Sequence, residues 1–203
     1  MNYLDHSILS AIRFGGRPEI YTPIHKFIDS SKLYFHHYGH RMLLHNSYGA
    51  KAAISIFGDN IHNGEKLVSV RDIVFSHCEE DNISVKQMDV GFLLRNLTFN
   101  FFKKETLLRL EKDLKGHVAY HHIFEPYFMT GNLNALCLTV SDLGHSILAQ
   151  TIRASDLISL PDSYYKFSVS VNEIMTGYFD LSKAIVPNTK QSLIKQVNEY
   201  RSK

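Results

Sequence analysis

The stretch Ser69-Val70-Arg71-Asp72-Ile73-Val74-Phe75-Ser76-His77-Cys78-Glu79-Glu80-Asp81 sets the reading of the whole chain. Ser69 with an acid three positions later, Asp72, is a variant of the capping box, so a helix is predicted over about 70–81. Val70, Ile73, Val74 and His77 fall on its apolar side, and Glu80 and Asp81 follow His77 by three and four positions on the same face. His77 is therefore expected to point inward among acids.

Upstream, the histidines thicken: 25, 36, 37, 40, 45 and 62 precede His77. Thr22-Pro23 is read as a helix start, Thr capping and Pro tolerated at the first helical position. Helical spacing runs from there to Ile56, with a break allowed at Asp29-Ser30 and a stop at Gly58. On an unbroken helix His25, Asp29, His36 and His40 lie within about 60° of one another. Phe14-Gly15-Gly16-Arg17-Pro18 reads as a loop and Asp59 to Gly64 as a turn. His36 and His37 are assigned to a polar edge and His62 to the turn.

Taken singly, each histidine is explained as a neutral core residue donating to a carbonyl or carboxylate. The set is harder to explain that way, because burying several ligand-type groups without partners is costly. His25, Asp29, His40 and His77 are accordingly the candidate ligands of a divalent metal, Zn, Mn or Fe. Glu80 and Asp81 are the candidate acid–base groups, and Arg41 and Arg71 the candidate anion-binding groups.

Bulk properties bound the function. The chain has 203 residues, 44% of them apolar, enough for a sizeable core. Its net charge of +2, with the densest basic group at Lys103, Lys104, Arg109, Lys112 and Lys115, does not indicate a nucleic-acid surface. Cys78 and Cys137 form no CxxC, so no disulfide framework or cysteine zinc motif is expected, and a reducing cytoplasm fits. The start Met1-Asn2-Tyr3-Leu4-Asp5-His6 lacks a basic flank, and no run approaches the roughly 18 apolar residues of a membrane span. Phosphate-cradling GxxxxGK[ST] and GxGxxG, the GxSxG elbow and HExxH are all absent.

The residues His6-Ser7, Phe14-Gly15-Gly16, Tyr21, Pro23-Ile24-His25, Asp29, Ser31-Lys32, Phe35, His40-Arg41, Leu43, His45, Gly49, Phe57-Gly58, Ile61, Asn63, Val70-Arg71, His77 and Glu80-Asp81 form a combined pattern. This pattern resembles a small domain of bacteria and phages, a domain of unknown function, over about residues 1–95. The resemblance implies that His25, Asp29, His40, Arg41, His45, Arg71, His77, Glu80 and Asp81 belong to the family pattern; it brings no activity. Gly39 and Asn46 stand where that pattern usually has Arg and a second His, and Phe75 and Ser76 where it has an acid and an amide.

Residues 96–203 lie outside the resemblance and read as α+β. Lys104 to Lys115 is an amphipathic helix with Leu107, Leu110 and Leu114 on one side, stopped by Gly116. Val118–Phe124, Ala135–Val140 and Tyr165–Val171 are read as strands, two by alternation and one as a buried run. Ser141 caps a helix through Ile152, and Thr189 caps the last helix, with Leu193, Ile194, Val197 and Tyr200 as its docking face. His121, His122 and His145 are isolated.

The expected class is therefore α+β: a mostly helical N-terminal unit, 1–95, followed by a mixed α+β C-terminal unit, 96–203. Two functions fit. One is a non-enzymatic interaction or inhibitor protein, phage-encoded, that binds a host protein or small ligand and whose His/Asp/Glu array is a satisfied internal network. The other is a metal-dependent hydrolase of phosphoesters using the His/Asp cluster. The first is preferred at this stage, because no complete metalloenzyme motif is present.

Overall fold

The computed structural model describes residues 1–35, 38–81, 104–133, 135–178 and 191–203. It is mostly helical with one two-stranded antiparallel sheet. The chain divides into two compact units, Met1–Val90 with Ala184–Lys203, and Gly91–Lys183.

In the first unit, α1 (Tyr3–Phe14) is opened by Asn2, whose side chain accepts from the backbone of Leu4 and Asp5. Gly15, at φ 86°, closes it in a conformation that suits glycine. After the expected loop, α2 (Pro18–Ile28) begins at Pro18, five residues before the predicted first helical position, Pro23. Pro18 takes the first helical position instead of Pro23, which lies inside the helix. The Thr22 hydroxyl donates back to the Pro18 carbonyl and does not cap.

The long helix predicted onward to Ile56 does not form. At Asp29 the backbone tightens into a 3-10 turn, Asp29–Leu33, and a second one spans Tyr38–His40. Two helices follow, α3 (Arg41–Leu44) and α4 (Ser47–Phe57), with Gly58 as the stop the sequence indicated. Between them Asn46 makes the corner: its carbonyl oxygen accepts from Tyr48 and Gly49, and its amide donates to Met42 and Leu43. The segment read as a turn over 59–64 contributes β1 (Asn60–His62), paired with β2 (Leu67–Ser69) in the register Ile61 to Val68. The tight turn sits later, where Asn63 Oδ1 accepts from Glu65 and Lys66. Three-residue strands are too short to show alternation.

Helix α5 (Val70–Glu80) follows the reading closely, with Ser69 Oγ accepting from the Asp72 N–H. Val70, Ile73, Val74 and His77 are all buried. It packs against α2 and α4. The last helix, Gln191–Arg201, lies on α1, burying Val197 with Ile8 and Leu9 and part of Leu193. Arg201 reaches Asp5 at 2.6 Å. Ile194 and Tyr200 stay on the exposed side of that helix. Thr189 lies outside the described residues, as do His36 and His37.

In the second unit the helix Lys104–Leu114 buries Leu107, Leu110 and Leu114 as expected, and Ser141 Oγ caps Asp142–Thr151 through the Gly144 N–H. The three predicted strands are corrected: Tyr120–Thr130 and Ala135–Thr139 are helices, and of the third, Tyr165 lies in the helix Asp162–Lys166 while Val171 opens another, Val171–Glu173. The alternation around residue 120 concealed a four-residue spacing, Tyr120, Phe124 and Phe128, whose rings stack at 5.0 and 5.9 Å along one helix face. Among the described residues of this unit, strand-like pairing is confined to one bridge, Ser141 to Val169. The class remains mostly helical with a small sheet, and the sheet belongs to the first unit.

Candidate metal centre

Four side chains of the first unit converge: Asp29, His45, His77 and Asp81 each place one ligand-type atom within 4.8 Å of the other three. Asp29 stands where α2 gives way to the 3-10 turn, and His45 terminates α3. His77 lies in the last turn of α5, and Asp81 just past its end. Their separation of four residues puts His77 and Asp81 on one face, and the packing of α2 and α4 on α5 brings the other two to it.

The two imidazoles face each other, His77 Nε2 to His45 Nε2 at 3.1 Å. Asp29 Oδ1 lies 3.5 Å from His77 Nε2 and 3.7 Å from His45 Nε2. Asp81 Oδ2 lies 3.4 Å from His45 Nε2 and 4.0 Å from His77 Nε2. A tetrahedral ion with bonds of about 2.0–2.1 Å separates its ligand atoms by about 3.4 Å, so these spacings suit such an ion. All four residues are at most 5% exposed. Among the described residues, Asp29 Oδ1 and Asp81 Oδ2 accept no hydrogen bond. Buried carboxylate oxygens without a donor are costly, and an ion between the four atoms would satisfy them.

A second layer surrounds the four. His77 Nδ1 meets His25 Nδ1 at 2.9 Å, and His25 Nε2 meets Ser10 Oγ at 2.8 Å. His6 Nδ1 donates to Glu80 Oε2 at 2.6 Å, and the His6 ring stacks on His77 with centroids 3.8 Å apart. Ser76 Oγ donates to the other Glu80 oxygen. Arg41 Nε lies 2.9 Å from Asp81 Oδ2 as a charge pair, without the alignment of a hydrogen bond. The Met1 amine is 3.2 Å from Asp81 Oδ1, and half-exposed Lys32 holds the outer oxygen of Asp29 at 2.7 Å.

Electrostatics follow from this packing. Burial opposes charge on His45 and, with His77 beside it, pushes its pKa down to about 3 in spite of Asp81 and Asp29. Burial likewise lowers His77, with His6 adding to it, and lowers His25 well below its ordinary value, with His77 and His6 adding to it. Neutral imidazole is the form that ligates metal. His6 is the exception: burial works against its charge, but Asp81 and Glu80 outweigh it and raise its pKa. Burial would raise both Asp29 and Asp81, yet the neighbouring histidines, His77 for Asp29 and His45 with His6 for Asp81, hold both far below the carboxylate range.

Of the residues singled out from the sequence, Asp29, His77 and Asp81 are in the converging set. His25 lies one hydrogen bond behind His77. His40 is buried, its ring edge-on to His45 at 5.6 Å, outside the four-atom set. Glu80 faces His6 and Ser76. Arg41 is engaged with Asp81, whereas Arg71 is exposed at the start of α5, its guanidinium 5.0 Å above the Phe75 ring. His62 is exposed and accepts from the Gly64 N–H. His121, His122 and His145 belong to the second unit and are not in the set.

Three residues of the site and its surroundings, His45, His6 and Ser10, escaped selection. On an unbroken helix His45 would lie about 160° around from His25, on the far side; the break at Asp29 removes that objection. His6 and Ser10 share a face of α1 at four-residue spacing, and the Asn2 cap was the available signal for that helix.

Residues 1–91 match the model of a domain of unknown function (DUF6915). No curated protein and no solved structure matches the chain.

Proposed function

We propose that the first unit is a divalent-metal-binding domain, with Asp29, His45, His77 and Asp81 as ligands and Zn, Mn or Fe as the ion. One observation carries this reading: two imidazole nitrogens and two carboxylate oxygens, all buried, converge within 4.8 Å while two of those oxygens lack a hydrogen-bond donor among the described residues. A mixed nitrogen and oxygen set of this kind suits these first-row metals. The set replaces the one read from the sequence in two members, His45 and Asp81 taking the places of His25 and His40.

Four protein ligands alone would make a closed tetrahedral site; hydrolase chemistry would require the ion to take a water as a further ligand, the position that catalytic sites keep open. Glu80 and Asp81 are not free bases in this arrangement, since Asp81 is a ligand and Glu80 is engaged by His6 and Ser76. For a phosphoester substrate, Lys32 is the half-exposed cation beside the cluster, at Asp29. Free, buried Cys78 and Cys137 fit a cytoplasmic setting, and no described helix is long and apolar enough to cross a membrane. We also propose that the domain of about residues 1–95 is completed by the helix Gln191–Arg201, which the Val197 cluster supports.

The second reading, a phage-encoded interaction or inhibitor protein around a satisfied internal network, draws on Asp81. Arg41 and the Met1 amine already approach its carboxylate at 2.9 and 3.2 Å. The two readings separate on purified protein. The metal centre requires near-stoichiometric Zn, Mn or Fe by elemental analysis, lost in His77→Ala, with turnover of a generic phosphodiester as the mark of the hydrolase. Absence of metal after it has been supplied at neutral pH would give the interaction protein.

A further inference from the structure

We propose that Ser10, His25 and His77 form a tautomer relay that selects which nitrogen of His77 carries a lone pair toward the cluster, making Ser10 and His25 positioning residues for the metal. The inference rests on the metal-centre reading and adds to it a device held on α1 and α2.

The geometry is a line of three buried side chains. Ser10, His25 and His77 are each 0% exposed. Ser10 Oγ lies 2.8 Å from His25 Nε2, and His25 Nδ1 lies 2.9 Å from His77 Nδ1, which leaves His77 Nε2 facing Asp29, His45 and Asp81. A neutral imidazole has one N–H and one accepting nitrogen. Two facing Nδ1 atoms therefore hold a single proton between them, and whichever ring has it decides the state of its own far nitrogen.

Only two arrangements satisfy both contacts of His25. In the first, the Ser10 hydroxyl donates to His25 Nε2, His25 Nδ1–H donates to His77 Nδ1, and His77 bears its proton on Nε2, toward His45 Nε2 3.1 Å away, with Asp29 Oδ1 at 3.5 Å. In the second, His77 Nδ1–H donates to His25 Nδ1, His25 Nε2–H donates to Ser10 Oγ, and His77 Nε2 is a bare lone pair. Each imidazole holds one proton and Ser10 keeps its own in both, so the exchange needs no net gain or loss. The second arrangement is the one that can ligate, and outer partners of this kind fix the tautomer of metal-bound histidine.

The contacts also explain why His25 reads as a ligand in the sequence yet stands one layer back. Its two nitrogens are both used, one toward each neighbour. Loss of an outer partner of a ligating histidine typically lowers metal affinity about tenfold to a hundredfold.

The test uses the full chain, zinc as the probe, and competition against a chromophoric chelator. Ser10→Ala should bind zinc about tenfold or more weakly than wild type with its circular dichroism unchanged, and Ser10→Thr, which restores a hydroxyl, should recover part of the loss. Independently of any variant, nitrogen-15 NMR of the zinc-loaded wild type should show His77 protonated on Nδ1 and His25 on Nε2. Wild-type protein that binds no zinc overturns the metal reading itself. Wild type that binds zinc, with His25 protonated on Nδ1 or with Ser10→Ala at wild-type affinity, overturns the relay alone.

Discussion

At the scale of single residues, the histidines of the cluster respond to pH in opposite directions. His45, pushed down to about 3 by burial, is neutral when folded and charged when unfolded between that value and its ordinary 6.5. The unfolded chain then binds more protons, so stability falls as pH falls through this window. His25 and His77, also lowered, act in the same sense. Asp29 and Asp81, held far below their ordinary 3.8, add a further loss on acidification past that value. His6 is raised, so its contribution is fully present below 6.5 and fades as pH rises through its folded value. Three histidines and two carboxylates outnumber it. With metal chelated, the unfolding free energy obtained by urea titration should fall on going from about pH 7 to about pH 4, by up to about 1.4 kcal/mol per pH unit for each histidine that stays neutral in the fold. A flat profile across that range would mean that these groups titrate alike in the folded and unfolded chain.

At the scale of elements, the corner between α3 and α4 holds His45 in place. A Cβ built on Gly49 would come within 1.8 Å of the Leu44 carbonyl oxygen, a backbone atom that cannot swing away. Gly49→Ala must therefore open the corner, and a loss of about 1–3 kcal/mol is expected from overpacking. Because Leu44 directly precedes His45, zinc affinity should fall together with the melting temperature. Unchanged affinity in a destabilised variant would show that the corner does not set the ligand. The same elements show what local patterns carry. Ser69, Gly58, Gly116 and Ser141 mark their helix ends within a residue or two, because a cap or stop depends on a few neighbouring residues. Between Thr22 and Ile56 the break allowed at Asp29-Ser30 is present, but the pattern does not show where the chain goes after it, because helical spacing continues through a 3-10 turn with little change while the chain direction shifts. Around Tyr120 a short aromatic run fitted both periods, and only packing settled it as helix.

On the scale of the whole molecule, a ligand that binds only the folded first unit should stabilise that unit and leave Gly91–Lys183 untouched. Calorimetry with and without chelator is expected to move one transition and not the other, while Leu110→Ala, a buried leucine of the second unit, should lower the other by about 2–5 kcal/mol. A single transition shifted equally by both changes would show that the two units unfold as one.

Legible in the sequence alone were the mostly helical first unit, the inward face of α5 and the residue types of the candidate site: Asp29, His77 and Asp81 were picked out by helix period and residue type, together with His25, His40 and Glu80, which stand outside the four-atom set. These are local properties, decided by side-chain chemistry and by geometry repeating over three or four residues. Tertiary structure alone decided the membership. Asp29 meets His77 and Asp81 across some fifty residues of chain, and His45 joins them because the helix breaks at Asp29. His25 is displaced outward because Ser10, on a helix laid beside it, takes its second nitrogen. Contacts between distant segments depend on where each element ends and how it packs, and the periodicity of one segment carries no record of another segment's path.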